Sequence, residues 1–371
     1  MEIRDFVLPV LRPKASPLDL EELADTLESG WWGKGPKVEK FEREFADMVG
    51  AKHALAVTSN THGLDLVIKA LGIQDADIVN PSISFMTTAM VPLWNNCSTN
   101  IVDVRRDDLC IDPDDVKKSL KPNTAAVIAV NHAGVAADID GIREVFDGPV
   151  IEDCAHSCYT PGAGTKGDVA IWSFQAVKTM PTGDGGMITL NDSALYEKLV
   201  PMTWLGIPST YARTKPKSDS PTGRPGYSWD YEVEEIGYKA YMTDLTASLG
   251  LSQMKQLPSN LDWRRHIQSR YNSELVEHIE RPVWSETVQY YCARVDSKLR
   301  DQLMDFLAHK KIHTSVHFKP LYKYAVMNQQ RAYPVSEEQW TRLVSLPCHA
   351  AMTEEDITYV IYWVNKFFSD K

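Results

Sequence analysis

Residues Val150 to Thr189 read VIEDCAHSCYTPGAGTKGDVAIWSFQAVKTMPTGDGGMIT, and the fold is decided by how this stretch is parsed. Pro149-Val150-Ile151 has the make-up of a short buried strand that ends on two acids, Glu152 and Asp153, followed by Cys154, Ala155 and His156. Asp168 to Phe174 (DVAIWSF) predicts another strand, with Lys178 four residues after its end. The glycines of Thr182-Gly183-Asp184-Gly185-Gly186 mark a turn, and Met187 to Leu190 predicts a further strand. Asp153 and Lys178 therefore both stand just past strand ends, where the loops of an open α/β sheet converge on a ligand crevice.

A lysine in such a crevice can serve as a nucleophilic amine. A Schiff base with pyridoxal phosphate needs a carboxylate to hold the ring nitrogen protonated, and hydroxyls or amides around the phosphate; Asp153 and Ser173 can fill these two roles. Each residue also has a plain structural use, since lysines after strands are usually solvated and an Asp at a strand end often caps the next helix.

The joint order is more specific than its parts. E-D-x-A-H, G-D-x-x-x-x-S-F, a lysine five residues after the serine, and T-G-D-G-G occur in sequence. Together they resemble the nucleotide-sugar aminotransferases of the DegT/StrS type, and the resemblance runs from about Leu8 to Phe368. It implies a fold-type I pyridoxal phosphate enzyme of α/β class. A mostly parallel sheet sandwiched by helices would form a large cofactor-binding domain with an N-terminal arm over residues 1–255, and a smaller α+β domain would follow over 256–371. It further implies a homodimer with shared active sites, L-glutamate as amino donor, and a keto group on a nucleotide-linked deoxysugar as acceptor. Turnover would be ping-pong, with Lys178 holding pyridoxal phosphate and then moving a proton between substrate and cofactor carbons.

Composition sets bounds on this reading. The chain has 371 residues, 43% hydrophobic and 24% charged, as an ordinary globular protein does. Its net charge of −11 and the lack of a Lys/Arg stripe leave out the electrostatic footprint of nucleic-acid binding. The start MEIRDFVLPVLRPKASPLD carries no apolar core of signal-peptide length and no window reaches the length of a membrane span, so a cytoplasmic protein without membrane partners is expected. Six scattered cysteines with no C-x-x-C pair argue against a zinc site or a disulfide framework.

Along the chain, residues 19–28 predict a helix that runs into Ser29-Gly30-Trp31-Trp32-Gly33-Lys34-Gly35-Pro36. The family has a similar S-G-W-x-x-x-G-P loop near its substrate, which makes Trp32 a substrate candidate; a core plug is the alternative. Lys37 to Val49 carries a helical apolar stripe ended by Gly50, and His53 to Thr58 predicts a strand leading through Ser59-Asn60-Thr61 into a helix that closes at Gly72. Strand, hydroxyl-bearing turn and helix start make a generic anion site. The family has G-T-A where this chain has Asn60-Thr61-His62, so Thr61 matches and His62 departs. The resemblance adds Phe85 as the aromatic that stacks on the pyridine ring, His156 as a further cofactor contact, and His317, in His317-Phe318-Lys319-Pro320, as a substrate neighbour.

Alternating strands (100–104, 125–130) and helices (113–120, 139–146) then predict a parallel sheet covered on both faces. Tyr211 to Asp230 predicts a long loop. After it the family motif G-Y-N-Y-R-M-T-D reads Gly237-Tyr238-Lys239-Ala240-Tyr241-Met242-Thr243-Asp244. Lys239 takes the slot of the family asparagine that reaches the cofactor phosphate of the partner subunit; a solvated lysine is the alternative. Asp244 to Leu257 and a second segment after Pro258 predict two helices, followed by a strand (VQYYCARV), a helix (SKLRDQLMDFLAHK) and a last helix from Glu354 to Phe368 opened by Thr353 and Asp356.

Three other activities fit the same scaffold. An aminotransferase acting on a cyclitol or another non-nucleotide ketone would share these motifs, whereas a sugar 3-dehydratase of this family carries histidine at the lysine position. A pyridoxal-binding or partner-binding protein without turnover has the altered 60–62 and 239–241 positions in its favour.

Overall fold

The computed structural model describes residues 1–207, 233, 235–327, 329 and 331–370. The loop expected over Tyr211 to Asp230 lies outside the described residues. Seven strands form one sheet: β1 (His53–Val57), β2 (Asp77–Pro81), β3 (Ser98–Val102), β4 (Thr124–Val130), β5 (Val150–Asp153), β6 (Val169–Ser173) and β7 (Gly186–Leu190), in the order β1-β7-β6-β5-β4-β2-β3. The pairs β3–β2, β2–β4, β4–β5 and β5–β6 are parallel, while β7 runs antiparallel to both β6 and β1. Six strands therefore point the same way, and the carboxyl ends of β1, β2, β4, β5 and β6 share one edge with the start of β7.

Period-two alternation buries both faces of the sheet. Leu55, Val57, Ile128, Ile151, Ile171 and Ile188 pack under the helix Asn60–Ala70 on one side. Ala54, Ala56, Ala170, Trp172 and Met187 face Phe41 and Phe45 of the helix Pro36–Val49 on the other. Such two-sided burial is what a parallel sheet requires of its strands. Gly50 and Gly72 end their helices with φ of 72° and 69°, a left-handed turn at no steric cost.

The expectation of two helices parted at Pro258 is corrected: one helix runs from Asp244 to Glu274 with Pro258 inside it. Pro258 lies on the exposed face, so the Met254 carbonyl that loses its N–H partner can turn to water, while Leu257 and Leu261 on the opposite face stay buried. The amino half of this helix packs on the sheet through Ala247 and Leu251, and its carboxyl half supplies Ile267 and Tyr271 to a second core. The boundary drawn at residue 256 thus falls within a helix common to both cores. The second core is built on the antiparallel pair β8 (Tyr291–Arg294) and β9 (Leu343–Leu346) with the helices Ser297–His309 and Glu354–Ser369, and it also takes in Leu8. The capping box of Thr353 and Asp356 is present. Among the described residues no helix is long and apolar enough to cross a membrane.

Candidate active site

The sheet edge gathers the candidates. Asn60 to His62 follow β1, Phe85 follows β2, His132 follows β4, Asp153 and His156 close β5, and Ser173 closes β6. Lys178 lies on the connection between β6 and β7, whose last ladder pair joins Ser173 to Gly186. That connection is held by backbone bonds from Lys178 N to Gln175 O (2.8 Å) and Ala176 N to Gly183 O (2.9 Å), so its shape does not depend on the lysine side chain.

Asp153 is buried, 5% exposed, and its Oδ1 accepts Asn60 Nδ2 at 3.0 Å and the Ala155 N–H at 3.1 Å. Among the described residues no hydrogen bond reaches Oδ2. Burial pushes this carboxyl above the usual carboxylate range, against the pull of the two donors and the Lys178 charge. A desolvated carboxylate with one oxygen unengaged is suited to a cationic N–H partner. Lys178 is half-buried, and the protein around its amine, only partly offset by Asp153, pushes its pKa down to about 8. Its amine therefore becomes nucleophilic well below the ordinary lysine value of about 10.4. Competitive acylation of the cofactor-free protein should show a labelling midpoint for Lys178 near pH 8; a midpoint above about 10 would mean that the amine is hydrated in solution.

The helix Asn60–Ala70 opens at the same edge. Ser59 Oγ accepts the His62 N–H at 3.2 Å, and the other first-turn N–H groups have no acceptor within the helix, which leaves an anion-binding end. Gly186 is required here, since a Cβ on it would lie 2.6 Å from Asn60 N and from the Ser59 carbonyl carbon. Thr61 Oγ1 meets Thr87 Oγ1 at 3.0 Å, and Ser173 is buried. Asn60 points its side chain at Asp153 and at the Ile171 carbonyl (3.1 Å), whereas His62 is exposed and its Nδ1 meets Thr58 Oγ1 at 2.6 Å.

A wall of rings stands beside these groups. His156 stacks on Phe318 (5.9 Å between centroids), and Phe85, 61% exposed, has its ring 6.2 Å from that of Phe318. His317 stacks on Tyr290 at 4.2 Å and its Nδ1 meets Ser345 Oγ at 2.8 Å. Burial keeps the imidazoles neutral: His132 is pushed down to about 4, His317 to about 3, and His156 well below its ordinary value, with Lys178 charge adding to the effect on the last two. Lys178 is thus close enough to Asp153, His156 and His317 for its charge to act on all three. Trp32 is exposed, with Nε1 donating to the Leu27 carbonyl at 3.3 Å, and Lys239 is exposed on a β-bridge with Trp204.

Sequence reasoning missed His132 and Tyr290, which carry no local pattern, gave Phe318 no role although it stands in a quoted motif, and missed two acids with positioning roles. Glu152 accepts the backbone N–H groups of Gly164 (2.7 Å), Lys166 (3.0 Å) and Gly167 (2.6 Å) and so fixes the loop ahead of β6. Asp244 accepts those of Gly35 (2.8 Å), Lys37 (3.1 Å) and Val38 (3.0 Å), which ties the end of the tryptophan loop to the long helix. The adjacent pair Glu152-Asp153, one inward to the loop and one to the site, is the signal that could have exposed the first.

Pyridoxal phosphate fits this donor set: an amine with a lowered pKa, a buried carboxylate with an unengaged oxygen, and a helix start kept open by Gly186. Residues 14–365 match the model of the DegT/DnrJ/EryC1/StrS aminotransferase family. The spore coat polysaccharide biosynthesis protein SpsC of Bacillus subtilis is 34% identical over 386 aligned positions, covering 96% of each chain. The aminotransferase TlmJ of Streptoalloteichus hindustanus superposes with a TM-score of 0.90 at 28% identity over 98% of this chain and 99% of its own. DesI, solved in the presence of its TDP-sugar product, gives 0.85 at 25% identity over 100% and 97%. With a fold-type I architecture and a family match across nearly its whole length, the chain belongs to the DegT/DnrJ/EryC1/StrS aminotransferase family.

Proposed function

We propose that the protein transfers an amino group from L-glutamate to a keto group of a nucleotide-linked sugar, in two half-reactions that share one site. The observation that carries this reading is the joint placement of Lys178 and Asp153 at one sheet edge, each with its pKa displaced by burial. The sugar acceptor is supported by the kinship with SpsC and DesI. Pyridoxal phosphate, when bound, supplies the electron sink. Asp153 Oδ2 would hold a proton on the ring nitrogen, the start of the helix Asn60–Ala70 with Thr61 and Ser173 would receive the phosphate, and Phe85 would cover the ring. Lys178 Nζ, its pKa lowered to about 8 by burial, would take the proton from the amino donor's α-carbon and return it to the cofactor carbon on the far side of the nitrogen. The neutral imidazoles add no charge that would raise or lower that amine further. Incubating the holoenzyme with glutamate and a panel of keto-sugar nucleotides, read by mass spectrometry, tests the reading; absence of an amino sugar across the panel, with amination of a cyclitol ketone instead, would replace it.

The active site is proposed to be shared across a twofold dimer, with Lys239 of one protomer reaching the phosphate bound by its partner. Its support is the exposed position of Lys239 in the slot of the family's cross-subunit asparagine. Lys178→Ala and Lys239→Ala homodimers should both be impaired, the second through weaker cofactor retention by roughly tenfold, since one charge-assisted hydrogen bond is lost. Re-pairing the two variants puts both defects in one site and leaves the other intact, so activity should return to about a quarter to a half of the parent's per dimer by that count. No recovery in verified heterodimers would show Lys239 to be a solvated surface lysine.

A further inference from the structure

We propose that Tyr290 is a positioning residue for the aminotransferase reaction: its phenol fixes the ring and the tautomer of His156, so that Nε2 is the nitrogen carrying the hydrogen. This rests on the proposed reading and on His156 being a neighbour of the bound cofactor, as the family resemblance implies. Tyr290 comes from the segment just before β8, far from the sheet edge in sequence, and is 3% exposed. Its hydroxyl oxygen lies 3.1 Å from His156 Nδ1 and 3.5 Å from Nε2. Among the described residues the hydrogen bonds of this hydroxyl go to the two nitrogens of His156, so the phenol's own hydrogen is available to the imidazole. Nδ1, the nearer nitrogen, is then the acceptor.

Packing prevents either ring from evading that choice. Tyr290 meets His156 edge to face at 5.1 Å and 68°, and lies parallel to His317 at 4.2 Å and 10°. His317 is anchored in turn by Ser345, and its carbonyl oxygen lies 3.1 Å from His132 Nε2. Phe318 covers His156 at 22°, and His132 meets it edge-on at 89°. A neutral imidazole owns one N–H and one lone pair, and its two tautomers differ little in energy until a fixed partner selects one. Buried among these rings and beside Lys178, His156 stays neutral, so the phenol decides which nitrogen donates to whatever binds at Lys178.

The experiment is 15N NMR of the holoenzyme labelled in histidine, with the His156 signals identified by their loss in His156→Gln. The parent should show an acceptor-type Nδ1 and a protonated Nε2 in a single tautomer, and Tyr290→Phe should give a mixture or the reverse. A parent His156 protonated on Nδ1 overturns the proposal without any variant, as does a Tyr290→Phe protein with the parent tautomer. A kinetic cycle adds a second measure: Tyr290→Phe should lower kcat by about 2- to 12-fold, the worth of one hydrogen bond, and should have no further effect in a His156→Ala background. Equal losses in both backgrounds would mean that Tyr290 acts on stability alone. Neither readout depends on which ketone is aminated, so failure here is separable from failure of the substrate reading.

Discussion

Lys178→Ala leaves a folded protein that still takes up pyridoxal phosphate and no longer transfers amino groups. The loss in kcat is expected to be at least about 10²–10⁴-fold, the range for removing one positioned general base, because no other amine in the described site is placed to move the proton. The fold survives because the β6–β7 connection is closed by main-chain bonds and because the deleted amine is a desolvated one whose removal relieves a penalty. Borohydride treatment of the parent, followed by peptide mapping, should place the pyridoxyl group on Lys178 and should label nothing in the variant. Label on another lysine, or turnover in the variant near that of the parent, would end the assignment.

Asp153→Asn should fold normally and lose about 10²–10³-fold in kcat, the scale seen when a single electrostatic contact made in the transition state is deleted. Asparagine keeps the shape, and its amide oxygen can still accept from Asn60 and Ala155, so the local geometry holds. What it cannot do is keep a proton on the ring nitrogen. The cofactor-free protein offers a second reading of the same change. The folded carboxyl titrates above its unfolded value because of burial, so it binds a proton more tightly when folded. Its contribution to stability is therefore fully present below the unfolded pKa and is lost as pH climbs through the folded one. The variant, with no charge to desolvate, should match or exceed the parent in apoprotein Tm at neutral pH, and the parent should gain more from added cofactor. Thermal unfolding with and without pyridoxal phosphate checks both; a variant with parental turnover would make Asp153 a mere structural residue.

Much of this site is legible in the sequence because its key residues are punctuated by short buried strands. VIED and DVAIWS end where β5 and β6 end, and that alone puts Asp153 and Lys178 at one edge. The reversed direction of β7 could not be read from the helix-free link after β6, since the helix-free residues 154–168 join the parallel pair β5–β6. The strand Asp77–Pro81 was hidden by Asn80 and Pro81, residues that signal turns; in the fold Asn80 is buried and its Nδ2 donates to Thr99 Oγ1 at 2.7 Å. The uninterrupted helix through Pro258 escaped notice because local chemistry at a proline outvotes nothing once both of its flanks are anchored in cores. The ring wall was unreadable for a different reason. His132, Tyr290 and Phe318 meet only through tertiary packing, and aromatic residues scattered over long separations have no period to detect.

Asn60 stands where the family has glycine, and its amide spans from the first turn of the helix to the carboxylate of β5 and the carbonyl of Ile171 in β6. The anion-binding end and the carboxylate end of the crevice are thereby joined by one side chain before any ligand arrives. This contact is in place before binding, so its ordering adds nothing to the entropic penalty of association. A phosphate-free aldehyde and a ring-free phosphate should consequently bind this protein independently, neither sparing the other an ordering step at the 3.0 Å amide contact.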